Sequence, residues 1–117
     1  DLVHLASLRP GLVPVLGDAR KHSAWGIMVA SKVDWLLQDV SQAGQAEIFI
    51  NAVKRFLKKG GKGLLSLKAA SERFNEGGER EVFQNVREQL EDAGLTIEEQ
   101  IDLHGLEDNH CLYFVTN

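Results

Sequence analysis

Asp18, Asp39 and Lys68 are the residues of this sequence best placed to do chemistry together. Each stands just beyond a short apolar run that reads as a β-strand, over residues 12–16, 33–38 and 63–67. In a parallel sheet such strand ends share one edge, and open α/β sheets bind their ligands there. A carboxylate beside a lysine holds the amine in place and sets its proton affinity, which suits acid–base work. The competing reading makes all three ordinary loop residues that cap helices or meet solvent. His110 stands where a further apolar strand, residues 111–115, begins. A lone histidine at a strand end fits either a structural or a functional role.

Other candidates carry less. His4, His22 and His104 have no carboxylate or thiol at metal-ligand spacing, so no zinc site is expected. Gly60-Gly61-Lys62-Gly63 looks like a phosphate loop, but it precedes a strand, whereas a P-loop joins a strand to a helix. Cys111 lies inside an apolar run with no base nearby in sequence and reads as core. Trp35 reads as core, and Trp25 as core or partner surface.

The elements that must position these residues follow from periodicity and punctuation. Asp1 to Arg9 reads as the end of a helix, stopped by Pro10-Gly11. Pro14 places the strand at 12–16 on a sheet edge. Residues 21–31 read as irregular or a short helix, anchored by Trp25 and Met28. The stretch from Val33 ends at Asp39, before a polar turn. Residues 45–59 form an amphipathic helix through Ala46, Phe49, Ile50, Val53, Phe56 and Leu57. Lys54, Arg55, Lys58 and Lys59 fall in its last turns, where cations suit the helix dipole, and Gly60-Gly61 reads as its C-cap. A polar loop over residues 69–78 leads to a second helix over 79–93, stopped by Gly94. Leu95, Ile97, Ile101 and Leu103 alternate onto one face of a strand. Only residues 104–109 separate it from the last strand, too few for a parallel crossover, so this pair is antiparallel. The pattern predicts one α/β domain over residues 1–117, its sheet mostly parallel with a C-terminal antiparallel hairpin.

Composition sets the bounds. The sequence has 117 residues, enough for one modest core, with 44% hydrophobic and 26% charged residues, as in ordinary globular domains. No apolar run approaches the ~20 residues that span a bilayer, and no membrane role is expected. The opening Asp-Leu-Val-His has neither an initiator Met nor a basic-then-apolar leader. The natural chain is therefore expected to begin earlier, and no signal peptide is expected. A single cysteine excludes a disulfide within these residues and fits a reducing compartment. The net charge of −4 is uneven: residues 1–68 carry +5 and residues 69–117 carry −9. That asymmetry fits a side facing a polyanion, or simply solvated helix faces.

Six short segments, in order, resemble the fibrillarin family, most closely its archaeal form. They are Gly-Asp-Ala-Arg (17–20), Asp-Val-Ser-Gln (39–42), Gln-Ala-Glu-Ile-Phe (45–49), Phe-Leu-Lys-Lys-Gly-Gly (56–61), Leu-Lys-Ala (67–69) and Asn-His (109–110). The resemblance implies a Rossmann-like class I S-adenosyl-L-methionine-dependent methyltransferase fold and RNA 2′-O-ribose methylation of rRNA or tRNA. It implies assembly with a Nop-type scaffold protein, a kink-turn-binding protein and a box C/D guide RNA. It implies that Asp18 and Ala19 meet the adenine end of the cofactor, and that Asp39, Val40, Ser41 and Gln42 line its methionine end. Asp39, Lys68 and His110 would match members of the family's proposed Lys-Asp-Lys-His catalytic set. Location would be cytoplasmic for an archaeal protein and nucleolar for a eukaryotic one.

This sequence departs from the family pattern at Ser41, where Ala is usual, at Ala43-Gly44, where Pro-Asp is usual, and at Asn109, where Asp is usual. The resemblance also places the family's first two strands ahead of Asp1, with the Gly-rich cofactor loop, the acidic ribose ligand and the first catalytic lysine. A sheet truncated at its N-terminus is therefore expected. The missing strands would leave a gap of about 10 Å between the strands at 12–16 and 33–38, and weak cofactor binding by these residues alone. Two rivals follow: a non-catalytic methyltransferase-like module that binds protein or RNA, and a small-molecule methyltransferase of the same fold. The cluster Lys54, Arg55, Lys58, Lys59 and Lys62 could meet RNA phosphates, although the acidic half limits non-specific binding.

Overall fold

A computed structural model of the chain describes residues 32–40, 43–72, 78–103 and 110–117, all within the compact unit Ser31–Asn117. Its elements are β1 (Val33–Asp39), α1 (Gln45–Phe56), β2 (Leu57–Lys68), a 3-10 turn (Ala69–Ser71), α2 (Gly78–Asp92), β3 (Thr96–Asp102) and β4 (His110–Thr116). The strands form one sheet in the order β1-β2-β4-β3. β1 and β2 run parallel, while β4 is antiparallel to both of its neighbours. The C-terminal antiparallel hairpin is therefore present, and α1 and α2 are the crossovers of an α/β sheet. The helix end at 1–9, the strand at 12–16, its expected gap to β1 and the segment 21–31 lie outside the described residues.

Both helices pack on one face of the sheet. Along β2 the residues Gly63, Leu65 and Leu67 are buried, and along β4 so are Cys111, Tyr113 and Val115. Their register aligns Gly63 with Val115, Leu65 with Tyr113 and Leu67 with Cys111. This period-2 stripe meets Ala46, Phe49 and Val53 of α1 and Val82, Phe83, Val86 and Leu90 of α2 in one core. The Tyr113 hydroxyl donates to the Phe83 carbonyl at 2.7 Å, fixing α2 over β4. A side chain at Gly63 would bring its Cβ within 2.8 Å of Phe49 Cζ, so glycine there lets α1 sit close to the sheet.

Three sequence expectations are corrected. The first concerns the end of α1. Leu57 already has extended backbone (φ −91°, ψ 130°) and begins β2, so the helix stops at Phe56 instead of Lys59. Gly60-Gly61 is not its cap. Leu57 pairs with Val33, but Trp35 pairs with Lys62, so β2 carries a bulge between these points. Gly60 has a positive φ of 80° within it. Asn117 holds the bulge: Gly60 N–H donates to its carbonyl at 2.8 Å, and its side-chain amide donates to Leu57 O at 3.0 Å. A fully buried Leu57 outweighs the glycine signal.

The second correction concerns β3. Ile97 aligns with Val115, but Glu99 aligns with Phe114, so a bulge intervenes. It changes the parity of the strand. Ile97 packs against the core, whereas Ile101 falls on the opposite face beside Leu112.

The third concerns Trp35. It is 61% exposed, and Leu37 is 68% exposed, so neither is core. Trp35, Leu37 and Asp39 point away from the helices, and Trp35 lies 5.8 Å from Phe114 by ring centroids, reaching across β2 on that open face. A continuous apolar run does not reveal that one side of its strand is uncovered.

Candidate active site

Asp39 is the last residue of β1 and Lys68 the last residue of β2. Because the two strands are parallel, both ends lie on the same edge of the sheet. β4 runs the other way and begins at that edge with His110. The register settles the face as well. Asp39 aligns with Ser66, two residues before Lys68, and Lys68 aligns with His110. Cross-strand partners share a face, and so do residues two apart on one strand. All three side chains therefore project from the open face, opposite α1 and α2.

Lys68 Nζ meets Asp39 Oδ1 at 2.9 Å. The lysine side chain is 26% exposed and the carboxylate 57%. Their long side chains stand at one corner of the sheet, with the polar heads reachable from solvent. His110 is half-buried on the far side of Lys68. Of the three strand-end residues expected at one edge, Asp39 and Lys68 are brought to one face and Asp18 lies outside the described residues; His110 joins them there, in the order Asp39, Lys68, His110. A carboxylate-anchored ammonium next to an imidazole can bind, orient and stabilise an oxygen that becomes anionic.

Val40 follows Asp39 directly and is half-buried. Asp18, Ala19, Ser41 and Gln42 lie outside the described residues. Cys111 is fully buried, and burial pushes its thiol above the usual range, which fits an inert core residue. No cluster of His, Cys, Asp or Glu among the described residues could hold a metal ion. No helix among them is long and apolar enough to cross a membrane. A cavity lined by Lys32, Lys54, Lys59 and the apolar Ile50, Val53 and Leu95 opens at the other end of the sheet, away from Asp39 and Lys68.

Two residues that sequence reasoning passed over support the corner. Gln45, the first residue of α1, is fully buried. Its side-chain Oε1 accepts from Lys68 N–H at 3.0 Å, and its Nε2 donates to Lys68 O at 2.9 Å. Gln38 of β1 donates from its Nε2 to Gln45 O at 2.8 Å. Glu72 accepts from Gln45 N–H at 2.8 Å, from Gln45 Nε2 at 3.0 Å and from Gly44 N–H at 3.0 Å. It caps a helix start that has no local side-chain cap, with its charge at the favourable end of the dipole. A glutamine at a helix start gives one sequence hint, since its amide can reach neighbouring backbone. Glu72 gives none, because nothing local ties it to a helix start 27 residues earlier.

Comparison with known proteins agrees with the fold. The fibrillarin family profile covers residues 1–117. The fibrillarin-like rRNA/tRNA 2′-O-methyltransferase of Methanocaldococcus jannaschii is 36% identical over 97% of this chain and 48% of its own length. Among solved structures, Aeropyrum pernix fibrillarin in complex with natively bound S-adenosyl-L-methionine is 31% identical with a TM-score of 0.80, over 99% of this chain and 50% of that one. The fibrillarin of a fibrillarin/Nop5p complex is 29% identical with a TM-score of 0.85, over 99% of this chain and 54% of that one. The chain spans about half the length of the relatives it matches.

Proposed function

The chain belongs to the fibrillarin family, and from that premise we propose that it forms the part of an RNA 2′-O-ribose methyltransferase that holds the attacking hydroxyl. The observation that carries this reading is the Lys68–Asp39 pair at 2.9 Å on an accessible sheet corner, beside His110. The substrate is a ribose of rRNA or tRNA, selected by a box C/D guide RNA. Docking depends on a Nop-type scaffold protein and a kink-turn-binding protein. The organism of the relative described above favours a cytoplasmic location.

S-adenosylmethionine, when bound, supplies an electrophilic methyl group. The chemistry of the corner fits it: Asp39 is a carboxylate at a strand end, open enough to meet an ammonium, with Val40 beside it. Asp18, Ala19, Ser41 and Gln42 would complete the contacts of this chain. Lys68 acts as an ammonium, because a carboxylate oxygen faces it at 2.9 Å. It holds the 2′-oxygen and offsets the negative charge that grows there as the hydroxyl proton passes to solvent water at this accessible corner. Asp39 keeps the ammonium in one place, so the hydroxyl meets it in a fixed position. His110, across the strand pair, orients the hydroxyl.

The test is Lys68→Ala in the intact protein, assembled with scaffold and guide RNA. Methyl incorporation into the target ribose should be lost while calorimetric binding of S-adenosylmethionine persists. Near-normal turnover of this variant would refute the role of Lys68. Absence of both binding and turnover in the parent protein would favour a non-catalytic interaction module. Methylation of a small molecule without guide RNA would favour the small-molecule enzyme.

A further inference from the structure

We infer that Gln45 is the positioning residue of the catalytic corner and that Glu72 locks it; the inference rests on the methyl-transfer reading of Lys68. β1 ends at Asp39, which aligns with Ser66. Lys68 lies beyond that end, where β2 has no further β1 residue to pair with. Its N–H and C=O go instead to the Gln45 side-chain amide, at 3.0 and 2.9 Å. The amide turns its oxygen and one of its two N–H donors to Lys68, so it stands in for the peptide group of an absent strand residue.

Gln45 also binds the other half of the pair. Its carbonyl accepts from Gln38, the residue before Asp39. One helix-start residue thus grips both strands at the point where the carboxylate and the lysine emerge. It fixes the spacing between them from the helix side, while both heads project to the open side. Gln45 is fully buried, so water does not compete for these bonds. Glu72 sets which way the amide points. It accepts from Gln45 Nε2 at 3.0 Å, which commits the nitrogen to that side and leaves the oxygen toward Lys68 N–H. The same carboxylate accepts from the Gly44 and Gln45 N–H groups, so it also fixes the start of α1. Neither residue reaches the open face. Their action on the chemistry passes through the position of Lys68.

The experiment compares Gln45→Met, Glu72→Gln and Asp39→Asn with the parent in the intact protein. Methionine keeps the volume of glutamine and removes the amide. The first readout is the NMR signal of the Lys68 ε-carbon and ζ-nitrogen, assigned with Lys68→Arg. The second is kcat and KM for S-adenosylmethionine in the guide-RNA assembly. In Gln45→Met, the Lys68 signal should move toward its value in Asp39→Asn. Its kcat should fall about 10- to 100-fold with KM unchanged, the scale expected of a displaced catalytic group. Glu72→Gln should move both readouts the same way, by less. An unmoved Lys68 signal in folded Gln45→Met overturns the inference, and so does a moved signal with an unchanged kcat. If Gln45→Met fails to fold by thermal melting, Glu72→Gln decides by the same criteria. If the parent protein transfers no methyl group, the functional reading fails, and the Lys68 signal alone still decides whether Gln45 positions it.

Discussion

Removing either partner of the Lys68–Asp39 pair should cost little stability and most of the activity. The geometry gives both magnitudes. At 2.9 Å the gross attraction between the charges is several kcal/mol at an effective dielectric constant of ~20. The Asp39 carboxylate is 57% exposed, so water screens it and competes for its oxygens. Pairs of that exposure contribute about 0.2–1 kcal/mol when measured by double-mutant cycles. A donor aimed at a developing oxyanion contributes about 3–4 kcal/mol to the barrier, or 10²–10³ in rate. The assay is a cycle of Asp39→Asn, Lys68→Ala and the double variant in the intact protein. Urea unfolding gives the stability coupling, and single-turnover methyl transfer on guide RNA gives the kinetic one. The stability coupling should stay below about 1 kcal/mol while turnover falls at least about 100-fold in Lys68→Ala. A stability coupling of about 3 kcal/mol or more, the scale of a buried pair, would refute the reasoning. It would make the pair a structural clamp. So would turnover in Lys68→Ala within a few-fold of the parent.

Three further outcomes test the frame around the site. Gly63→Ala places a Cβ 2.8 Å from Phe49 Cζ and 3.2 Å from Val115 Cγ2, both in fully buried side chains, and should cost about 1–3 kcal/mol by urea unfolding. Asn117→Ala removes the amide bonds to Leu57 O and Lys58 O at 3.0 and 3.2 Å and should cost about 1 kcal/mol, with hydrogen exchange rising in the bulge of β2. Cys111 and Tyr113 both have proton affinities raised above their ordinary values of 9.0 and 10.0, chiefly by burial. The folded state therefore holds these protons more tightly than the unfolded one. The stability they contribute is full below pH 9 and falls as pH rises past the two ordinary values. Each group adds a slope of up to ~1.4 kcal/mol per pH unit there, and Tyr113→Phe should flatten the decline of Tm at high pH.

How much of this was legible in the sequence depends on the range of the interaction. β1 and its terminal Asp39, β2 and its terminal Lys68, and His110 at the head of β4 all follow from local apolar runs and their polar stops. The convergence of Asp39 and Lys68 follows from topology, because parallel strands must end at one edge, and His110 joins them because β4 runs antiparallel and begins there. The antiparallel hairpin follows from a connection too short for anything else. The errors sit where a distant partner overrides a local signal. Gly60-Gly61 reads as a helix cap until Asn117, at the other end of the chain, claims its backbone. The alternation of β3 puts Ile97 and Ile101 together until a bulge opposite Val115 and Phe114 separates them. Trp35 reads as core because hydrophobicity reports a preference and not whether a neighbour exists to satisfy it.

The burial of Gln45 bears on why this corner would suit the proposed catalysis. A catalytic lysine on a strand end faces two competing demands. Its head must stay accessible and able to change partners, yet its root must not move. Packing alone cannot meet both, because the apolar contacts that fix a side chain also cover it. Here the demands are separated across the sheet. The helix side supplies rigidity through a buried amide bonded to the Lys68 main chain, and the open side keeps the ammonium on a carboxylate that is itself largely exposed. Under the proposed role the weakness of the exposed ion pair is an advantage, since a lysine that also held a substrate oxygen could not be bound to Asp39 by several kcal/mol. A buried, strongly coupled pair would have stabilised the fold more and left the lysine less able to serve a second oxygen.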